Sequence, residues 1–166
     1  VVDVGTGAGG IAVNLAMHLP MVTMIATDIS AGALEVAKAN VQRHNLTGRI
    51  TMVHGDLLEP VDATVDVIVA NLPYIPADRI QQLSPEVRAE PRLALDGGPE
   101  GVDLLLRLLD QAKDKAAPNA MLLLEIDPGQ SAVLKNRVVD LFPGATVSVE
   151  QDLAGLDRIF VVELPG

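Results

Sequence analysis

The stretch VVDVGTGAGGIAV, residues 1–13, joins an apolar run to a helical pattern through a glycine-rich loop. Gly5, Gly7 and Gly10 fit the pattern G-x-G-x-x-G. With Gly9 in place of Gly10, the same loop fits the tighter pattern G-x-G-x-G. Such glycines turn the chain sharply and let its backbone approach a ligand that lies over the N-terminus of the following helix. The stretch therefore predicts a strand, a ligand-binding loop and a helix.

The rest of the chain alternates between strand-like and helical patterns. Predicted strands cover residues 1–4, 22–27, 49–54, 64–70, 120–126, 145–151 and 158–165; predicted helices cover 11–19, 31–45, 101–116 and 131–142; residues 71–100 are rich in Pro and Gly, with one short helical pattern at 78–83. This alternation favours a mostly parallel sheet covered on both faces. The loop between the last two strands is too short for a helix, so these strands must pair antiparallel. Ser30 is placed to cap the second helix.

Composition restricts the partners of this chain. Its 12 Lys and Arg residues stand against 22 Asp and Glu residues, which gives a net charge of −10. Because an acidic surface repels phosphate backbones, we expect no direct binding of nucleic acid. The chain has no cysteine, and His18, His44 and His54 lack the spacing of metal ligands, so no metal site is predicted.

The apolar runs indicate where the protein is located, and the start of the chain indicates its domain organisation. No run is long enough to span a bilayer, and no signal peptide is visible, so we expect a cytoplasmic protein without membrane contact. We also expect the protein to be a monomer. Val1 lies inside a strand-like run and is not preceded by an initiator methionine. We therefore expect residues 1–166 to form one domain of a longer protein whose N-terminal part is absent here.

Two acidic residues at predicted strand ends point to the ligand. Asp28 ends the second strand, 28 − 5 = 23 residues after Gly5, where a carboxylate can accept hydrogen bonds from both ribose hydroxyls. Asp56 follows the third strand, either as a turn residue or as an acceptor for an adenine amino group with Leu57 against the ring. NAD and S-adenosylmethionine are both bound by such loops. These residues predict an adenosyl ligand and leave its identity open.

A second informative stretch is VIVANLPYIP, residues 67–76, in which Asn71 follows the fourth strand. Pro73 fixes its own φ and biases Leu72 toward an extended conformation. The Asn71 side chain and the Leu72 or Pro73 carbonyl then offer two acceptors to one NH2 group, and Tyr74 offers a flat face to the planar group that carries it. Such a site suits attack of an amide or aromatic amine nitrogen on a sulfonium methyl, which depends on orientation and local electrostatics. The alternative is an ordinary proline turn.

Motifs along nearly the whole chain resemble the class I S-adenosylmethionine-dependent methyltransferases. More specifically, they resemble the HemK/PrmC family, the protein-(glutamine-N5) methyltransferases of peptide-chain release factors. The motifs are DVGTGAGGIAV, ATDIS, ANLPYIP, EPRLALDGGPEGVDLL, LLLEI with Gln130, and DLAGLDRI. The glycine loop is common to the whole class, whereas EPRLALDGGPEG after N-x-P-Y is much more specific to this family.

The resemblance implies a fold, a cofactor and a substrate. The fold would be α/β and Rossmann-like, a mostly parallel seven-stranded sheet with helices on both faces and an antiparallel C-terminal hairpin. S-adenosylmethionine, converted to S-adenosylhomocysteine, would contact Gly5, Thr6, Gly7, Ala8, Gly9, Asp28, Ile29, Asp56, Leu57 and Asn71. The catalytic residues Asn71, Leu72, Pro73 and Tyr74 would receive the glutamine of the release factor's Gly-Gly-Gln motif. The absent N-terminal part would be the family's helical domain, which helps to bind that protein.

Two positions depart from the family pattern and keep alternatives open. Leu72 stands where N-P-P-Y is usual, and Asp127 stands where glycine usually follows E-I. Because N-L-P-Y also occurs in adenine-N6 dimethyltransferases of ribosomal RNA, methylation of adenine in RNA or DNA is an alternative, although the acidic charge and the scarcity of aromatic residues disfavour it. An adenosyl-binding module without turnover is another. An NAD-dependent dehydrogenase would leave N-L-P-Y unexplained.

Overall fold

The predicted alternation is present in the computed structural model, which describes all residues from Val1 to Gly166. The strands are β1 (Val2–Val4), β2 (Met24–Asp28), β3 (Ile50–His54), β4 (Val65–Ala70), β5 (Ala116–Glu125), β6 (Thr146–Gln151) and β7 (Asp157–Glu163). The helices are α1 (Gly10–His18), α2 (Ala31–Arg43), α3 (Pro85–Arg88), α4 (Asp103–Lys115) and α5 (Ser131–Leu141), and 3-10 turns cover Ile80–Gln82 and Arg92–Ala94.

The strands form one seven-stranded sheet in the order β3-β2-β1-β4-β5-β7-β6. Strands β1 to β5 run parallel, whereas β7 pairs antiparallel with both β5 and β6. The predicted fold class is therefore confirmed, including the antiparallel C-terminal hairpin. After β3, at one edge, the chain returns to β4 on the other side of β1. This change of direction between β1 and β4 is the kind of place where open α/β sheets bind ligands.

Alternation of side chains along β1 separates the core into two layers. Val2 and Val4 are fully buried in the larger hydrophobic cluster, which includes Leu108 of α4. Asp3 lies between them and faces the other way, where its carboxylate contacts the start of α1 at Ala12. On that side a second cluster packs α1 and α2 against β2 and β3. None of the helices combines the length and the apolar character that crossing a bilayer would require.

The segment 71–100 is more helical than the sequence predicted. Besides the 3-10 turn inside the expected range, it contains α3 and a second 3-10 turn. Pro85 occupies the first turn of α3, where the missing N–H leaves no helical hydrogen bond unmade. The abundance of proline concealed this helix start.

Strand β5 begins at Ala116 rather than at the predicted Ala120. Pro118 and Asn119 lie between the predicted helix and the predicted strand, and Asn119 has a positive φ of 61°. These two residues lie inside an irregularity of the pairing between β4 and β5, so the strand continues through them. Such irregularities let a strand tolerate residues that its regular pairing would exclude.

Candidate active site

The loops that follow β1, β2, β3 and β4 surround a cleft of about 740 Å3 at the carboxyl edge of the parallel strands. A concave site of this size is typical of small-molecule binding. Most predicted site residues line it, namely Gly5, Thr6, Gly7, Asp28, Ile29, Asp56, Leu57, Asn71, Leu72, Pro73 and Tyr74. The sheet edge therefore brings the predicted cofactor half and the predicted acceptor half of the site into one cavity.

The glycine loop adopts a backbone that side chains would disfavour. Gly5, Gly7 and Gly9 have φ values of 69°, 56° and 82°, all in the left-handed region. A Cβ on Gly5 would also lie 2.6 Å from Cδ2 of Leu72. Gly5 is thus required both by its conformation and by the close approach of the predicted acceptor loop.

Ala8 and Gly9 do not line the cleft, in contrast to the other predicted cofactor residues. Ala8 is exposed, and its carbonyl accepts a hydrogen bond from the Asn40 side chain of α2 at 2.9 Å. A Cβ on Gly9 would lie 3.2 Å from Cβ of Ala37, so this glycine lets α2 pack against the loop. Their contact with a cofactor stays a prediction.

Asp3 supports the glycine loop and was missed in the sequence analysis. Its Oδ2 accepts hydrogen bonds from the Thr6 hydroxyl at 2.6 Å and from the Ala12 amide at 3.0 Å. The residue is only 1% exposed, and this burial raises the pKa of its carboxyl group above the ordinary value. Asp3 joins the loop to the first turn of α1. The available signal was an acidic residue in the middle of an apolar strand.

Asp28 is held between the glycine loop and α2. Its Oδ2 accepts from the Gly7 amide and its Oδ1 from the Ser30 amide, each at 2.8 Å. Ser30 in turn caps α2, as predicted, by accepting from the Ala33 amide at 3.2 Å. Each carboxylate oxygen can accept further hydrogen bonds. The side chain lines the cleft in a fixed orientation and can receive two adjacent hydroxyl groups.

Two side chains of α4 hold the turn that follows β3. Asp56 forms an ion pair with Arg107, which also lines the cleft. Leu57 is buried and has a positive φ of 49°, an uncommon conformation for a side chain of its size. The amide of Leu58 donates to Oε1 of Gln111 at 2.7 Å. Arg107 and Gln111 were not predicted as site residues, because both are distant in the chain and lie on a helix that its leucines identify as a core element.

The N-L-P-Y loop presents a polar surface on a buried anchor. Asn71 is exposed at the cleft, whereas Leu72 is only 4% exposed and belongs to the main hydrophobic cluster. The carbonyls of Leu72 and Pro73 accept none of the backbone hydrogen bonds of the chain. The Pro73 carbonyl lies against Gly97, where a Cβ would approach it to 2.7 Å. Because Gly97 covers the Pro73 carbonyl, the Leu72 carbonyl is the better candidate for the second acceptor of the substrate NH2 group.

Tyr74 closes the loop, and its ring lies partly buried in the cleft. Its hydroxyl donates to Oε1 of Glu125, at the end of β5, at 3.2 Å. Burial raises the pKa of the phenol, and the negative charge of Glu125 raises it further. The ring is therefore held in its neutral form, as a flat surface along one wall of the cleft.

The departure at Asp127 has a structural consequence. Its carboxylate pairs with Arg79, in the segment that follows the acceptor loop, at 2.7 Å, and with Arg158 of β7 at 3.9 Å. Arg158 pairs also with Asp152 in the hairpin loop at 2.9 Å. These partly exposed pairs contribute little to stability individually, but they connect the acceptor segment to the C-terminal hairpin.

The histidines lie apart from one another in the structure. His18 and His54 are exposed and contact the backbone carbonyls of Asn14 and Ile29. No group of three or more His, Asp or Glu side chains is arranged to hold a metal ion.

A mostly parallel seven-stranded sheet with an antiparallel C-terminal hairpin and a glycine loop after β1 defines the fold of the class I methyltransferases. A methyltransferase from Pyrococcus furiosus has this fold, with a TM-score of 0.74 and 22% identity over 99% of this chain and 74% of that protein. The profile of the family described as Methyltransferase small domain matches residues 1–87. The chain belongs to this methyltransferase family.

Curated relatives confirm the resemblance drawn from the sequence. The release factor glutamine methyltransferase of Moorella thermoacetica is 42% identical over 97% of this chain and 57% of that protein. The ribosomal protein uL3 glutamine methyltransferase of Bradyrhizobium diazoefficiens is 45% identical over 80% of this chain and 42% of that protein. The chain thus spans about half the length of these two relatives.

Tyr74 gives a direct test of the cleft's electrostatics, because the chain has one tyrosine and no tryptophan. We expect ultraviolet titration to show that the phenol ionises above its ordinary pKa, and that Glu125→Gln lowers this pKa by removing a negative charge. The exposed Glu150 gives the control Glu150→Gln, which should change nothing. An unaltered titration in Glu125→Gln would contradict the contact.

The same pKa shift makes the stability of the protein depend on pH. Because folding raises the pKa of Tyr74, its contribution to the free energy of unfolding is fully present below the ordinary pKa of tyrosine. This contribution is lost as pH rises through the pKa of Tyr74 in the folded protein.

Proposed function

We propose that residues 1–166 form the catalytic domain of an S-adenosylmethionine-dependent protein-glutamine N-methyltransferase. Its proposed substrate is the glutamine in the Gly-Gly-Gln motif of a peptide-chain release factor. The observation that carries this proposal is the N-L-P-Y loop, which leaves β4 directly against the glycine loop and presents Asn71 and a carbonyl without a backbone partner in the same cleft. The names of the curated relatives support the same chemistry.

The residues present fit S-adenosylmethionine. Asp28 offers two oriented carboxylate oxygens to ribose hydroxyls, and Gly5 and Gly7 leave the loop backbone open to the ligand. Leu57 and Ile29 supply apolar surface beside an adenine ring, and Asp56 supplies an acceptor for its amino group. The cofactor supplies a methyl group on a sulfonium, which is electrophilic without a metal.

The acceptor loop orients the nitrogen that is methylated. Oδ1 of Asn71 and the Leu72 carbonyl accept the two hydrogens of the glutamine side-chain amide. With both hydrogens held, the nitrogen lone pair is less delocalised into the carbonyl and is directed into the cleft. The neutral ring of Tyr74 packs against the amide plane and limits the access of water. In a direct transfer the N–CH3 bond would form as the S–CH3 bond breaks, the bonding pair would stay on sulfur, and one amide proton would leave to water. The protein contributes orientation and electrostatics to this step.

Ribosomal protein uL3 is a second candidate substrate. The relative named for it is 45% identical over 134 residues, which supports a different glutamine-bearing protein as an alternative substrate. Adenine in RNA is disfavoured by the net charge of −10. We further propose that the protein is a monomer in the cytoplasm, without direct contact to nucleic acid or membrane, and that an N-terminal domain beyond these residues helps to bind the substrate.

The substrate is tested by giving the protein radiolabelled S-adenosylmethionine together with a release factor, uL3 and ribosomal RNA. A parallel reaction adds the part of the Moorella thermoacetica relative that lies outside the region matched by this chain. We expect label on the Gly-Gly-Gln glutamine, located by mass spectrometry. Label on uL3 alone would indicate that uL3, and not the release factor, is the substrate. Label on RNA, or cofactor binding without any label in either reaction, would refute the proposed function.

Asn71→Ala should reduce methyl transfer by about a hundredfold or more, because the substrate amide loses one of its two acceptors. Affinity for S-adenosylhomocysteine, measured by calorimetry, should stay within about threefold of the wild type, since Asp28 and the glycine loop are untouched. Turnover at the wild-type rate would remove the central step of the mechanism.

Asp28→Ala, in contrast to Asn71→Ala, should act on the binding of the cofactor. Loss of two charge-assisted hydrogen bonds should lower the affinity for S-adenosylhomocysteine by at least about tenfold. The matched control is Asp62→Ala, since Asp62 is an exposed aspartate outside the cleft. An unchanged dissociation constant for Asp28→Ala, with the fold intact by circular dichroism, would count against its assignment to the ribose.

A further inference from the structure

A buried glutamine holds the acceptor loop from behind. Gln130, at the start of α5, is only 7% exposed. Its Nε2 donates to the Tyr74 carbonyl at 2.9 Å and to the Gly101 carbonyl at 3.0 Å. Its Oε1 accepts from the Asp127 amide at 2.9 Å. One side-chain amide therefore joins the acceptor loop, the loop before α4 and the loop after β5.

The backbone of Gly101 packs closely against this amide. Gly101 has a φ of 75°, and a Cβ there would lie 2.2 Å from the Tyr74 carbonyl oxygen and 2.8 Å from Nε2 of Gln130. Gly97 packs in a similar way against the Pro73 carbonyl. The rear of the acceptor loop is thus closed by backbone, and the only side-chain donor that reaches the Tyr74 carbonyl comes from Gln130.

Tyr74 is consequently held at both ends, by the last residue of β5 and by the segment that follows it. Its carbonyl is bound by Gln130 and its hydroxyl by Glu125. Because Tyr74 is the last residue of the N-L-P-Y loop, these two hydrogen bonds hold the C-terminal end of that loop. A second glutamine acts on the other half of the cleft, since Gln111 accepts from the Leu58 amide beside Asp56 and Leu57.

We infer that Gln130 is a positioning residue for methyl transfer, which acts by fixing Tyr74 and with it the orientation of the acceptor loop. Gln111 is its counterpart on the cofactor side. This inference rests on the proposed function for its effect on turnover, whereas its effect on Tyr74 is independent of the substrate. The two glutamines should therefore separate catalysis from cofactor binding.

The variant Gln130→Glu isolates the two donated hydrogen bonds. It keeps the shape of the side chain and an oxygen for the Asp127 amide. It removes both N–H donors and sets carboxylate oxygens against the Tyr74 and Gly101 carbonyl oxygens, which then lack a donor from this side chain. Gln130→Ala removes the whole contact. If either variant reduces stability, the other still reports on the contact, and far-UV circular dichroism shows which of them is folded.

The test combines steady-state kinetics with near-UV circular dichroism of Tyr74, the only tyrosine in a chain without tryptophan. For both Gln130 variants we expect kcat to fall by about tenfold to a hundredfold, with the affinity for S-adenosylhomocysteine within about threefold of wild type. The tyrosine band should weaken because the ring is no longer held in one orientation. For Gln111→Ala we expect the affinity to fall by about tenfold and the band to persist.

The outcomes distinguish this inference from the proposed function. A weakened tyrosine band without methylation of any glutamine protein would refute the proposed function and leave the structural role of Gln130 intact. Wild-type kcat and a wild-type tyrosine band in Gln130→Glu would overturn the inference. Equal losses of kcat and cofactor affinity in both Gln130 and Gln111 variants would also overturn it, because they would indicate general destabilisation.

Discussion

The contact between Gly5 and Leu72 is the constraint on which the site depends. A single Cβ on Gly5 would lie 2.6 Å from the leucine side chain. The loop that is proposed to bind the cofactor and the loop that is proposed to bind the acceptor therefore touch without any group between them. Because Leu72 is also part of the main core, the position of the acceptor loop is set by the packing of α4, α5 and the sheet.

Three aspartates at the cleft or beneath its loops are each held by specific donors. Asp3 ties the glycine loop to α1, Asp28 bridges that loop and α2, and Asp56 pairs with Arg107 from α4. Such contacts fix side chains before any ligand arrives, so little ordering remains to be done on binding. Among the groups that line the cleft, the Asn71 side chain is exposed and ready to meet a partner.

Local sequence signals predicted most of the fold and the main loops of the site. Glycine spacing, strand alternation and the serine cap all concern neighbours in the chain, and the structure confirms the elements they predicted. Contacts between distant residues were not predictable in this way. Arg107 and Gln111 reach their partners across more than 50 residues, and no local pattern marks them. Gln130 belongs to a motif of the resembled family, but that motif does not name its partner Tyr74, 56 residues away. Pro85 misled the prediction because proline is also favoured in the first turn of a helix. Pro118 misled it because a strand tolerates proline at an irregularity of its pairing.

The most direct test of this account is a crystal structure with S-adenosylhomocysteine and a peptide that contains Gly-Gly-Gln. We predict that the side-chain NH2 of the glutamine lies within hydrogen-bonding distance of Asn71 Oδ1 and the Leu72 carbonyl, with its amide plane against the ring of Tyr74. A glutamine bound outside the N-L-P-Y loop, with Asn71 contacting only the cofactor, would contradict the account.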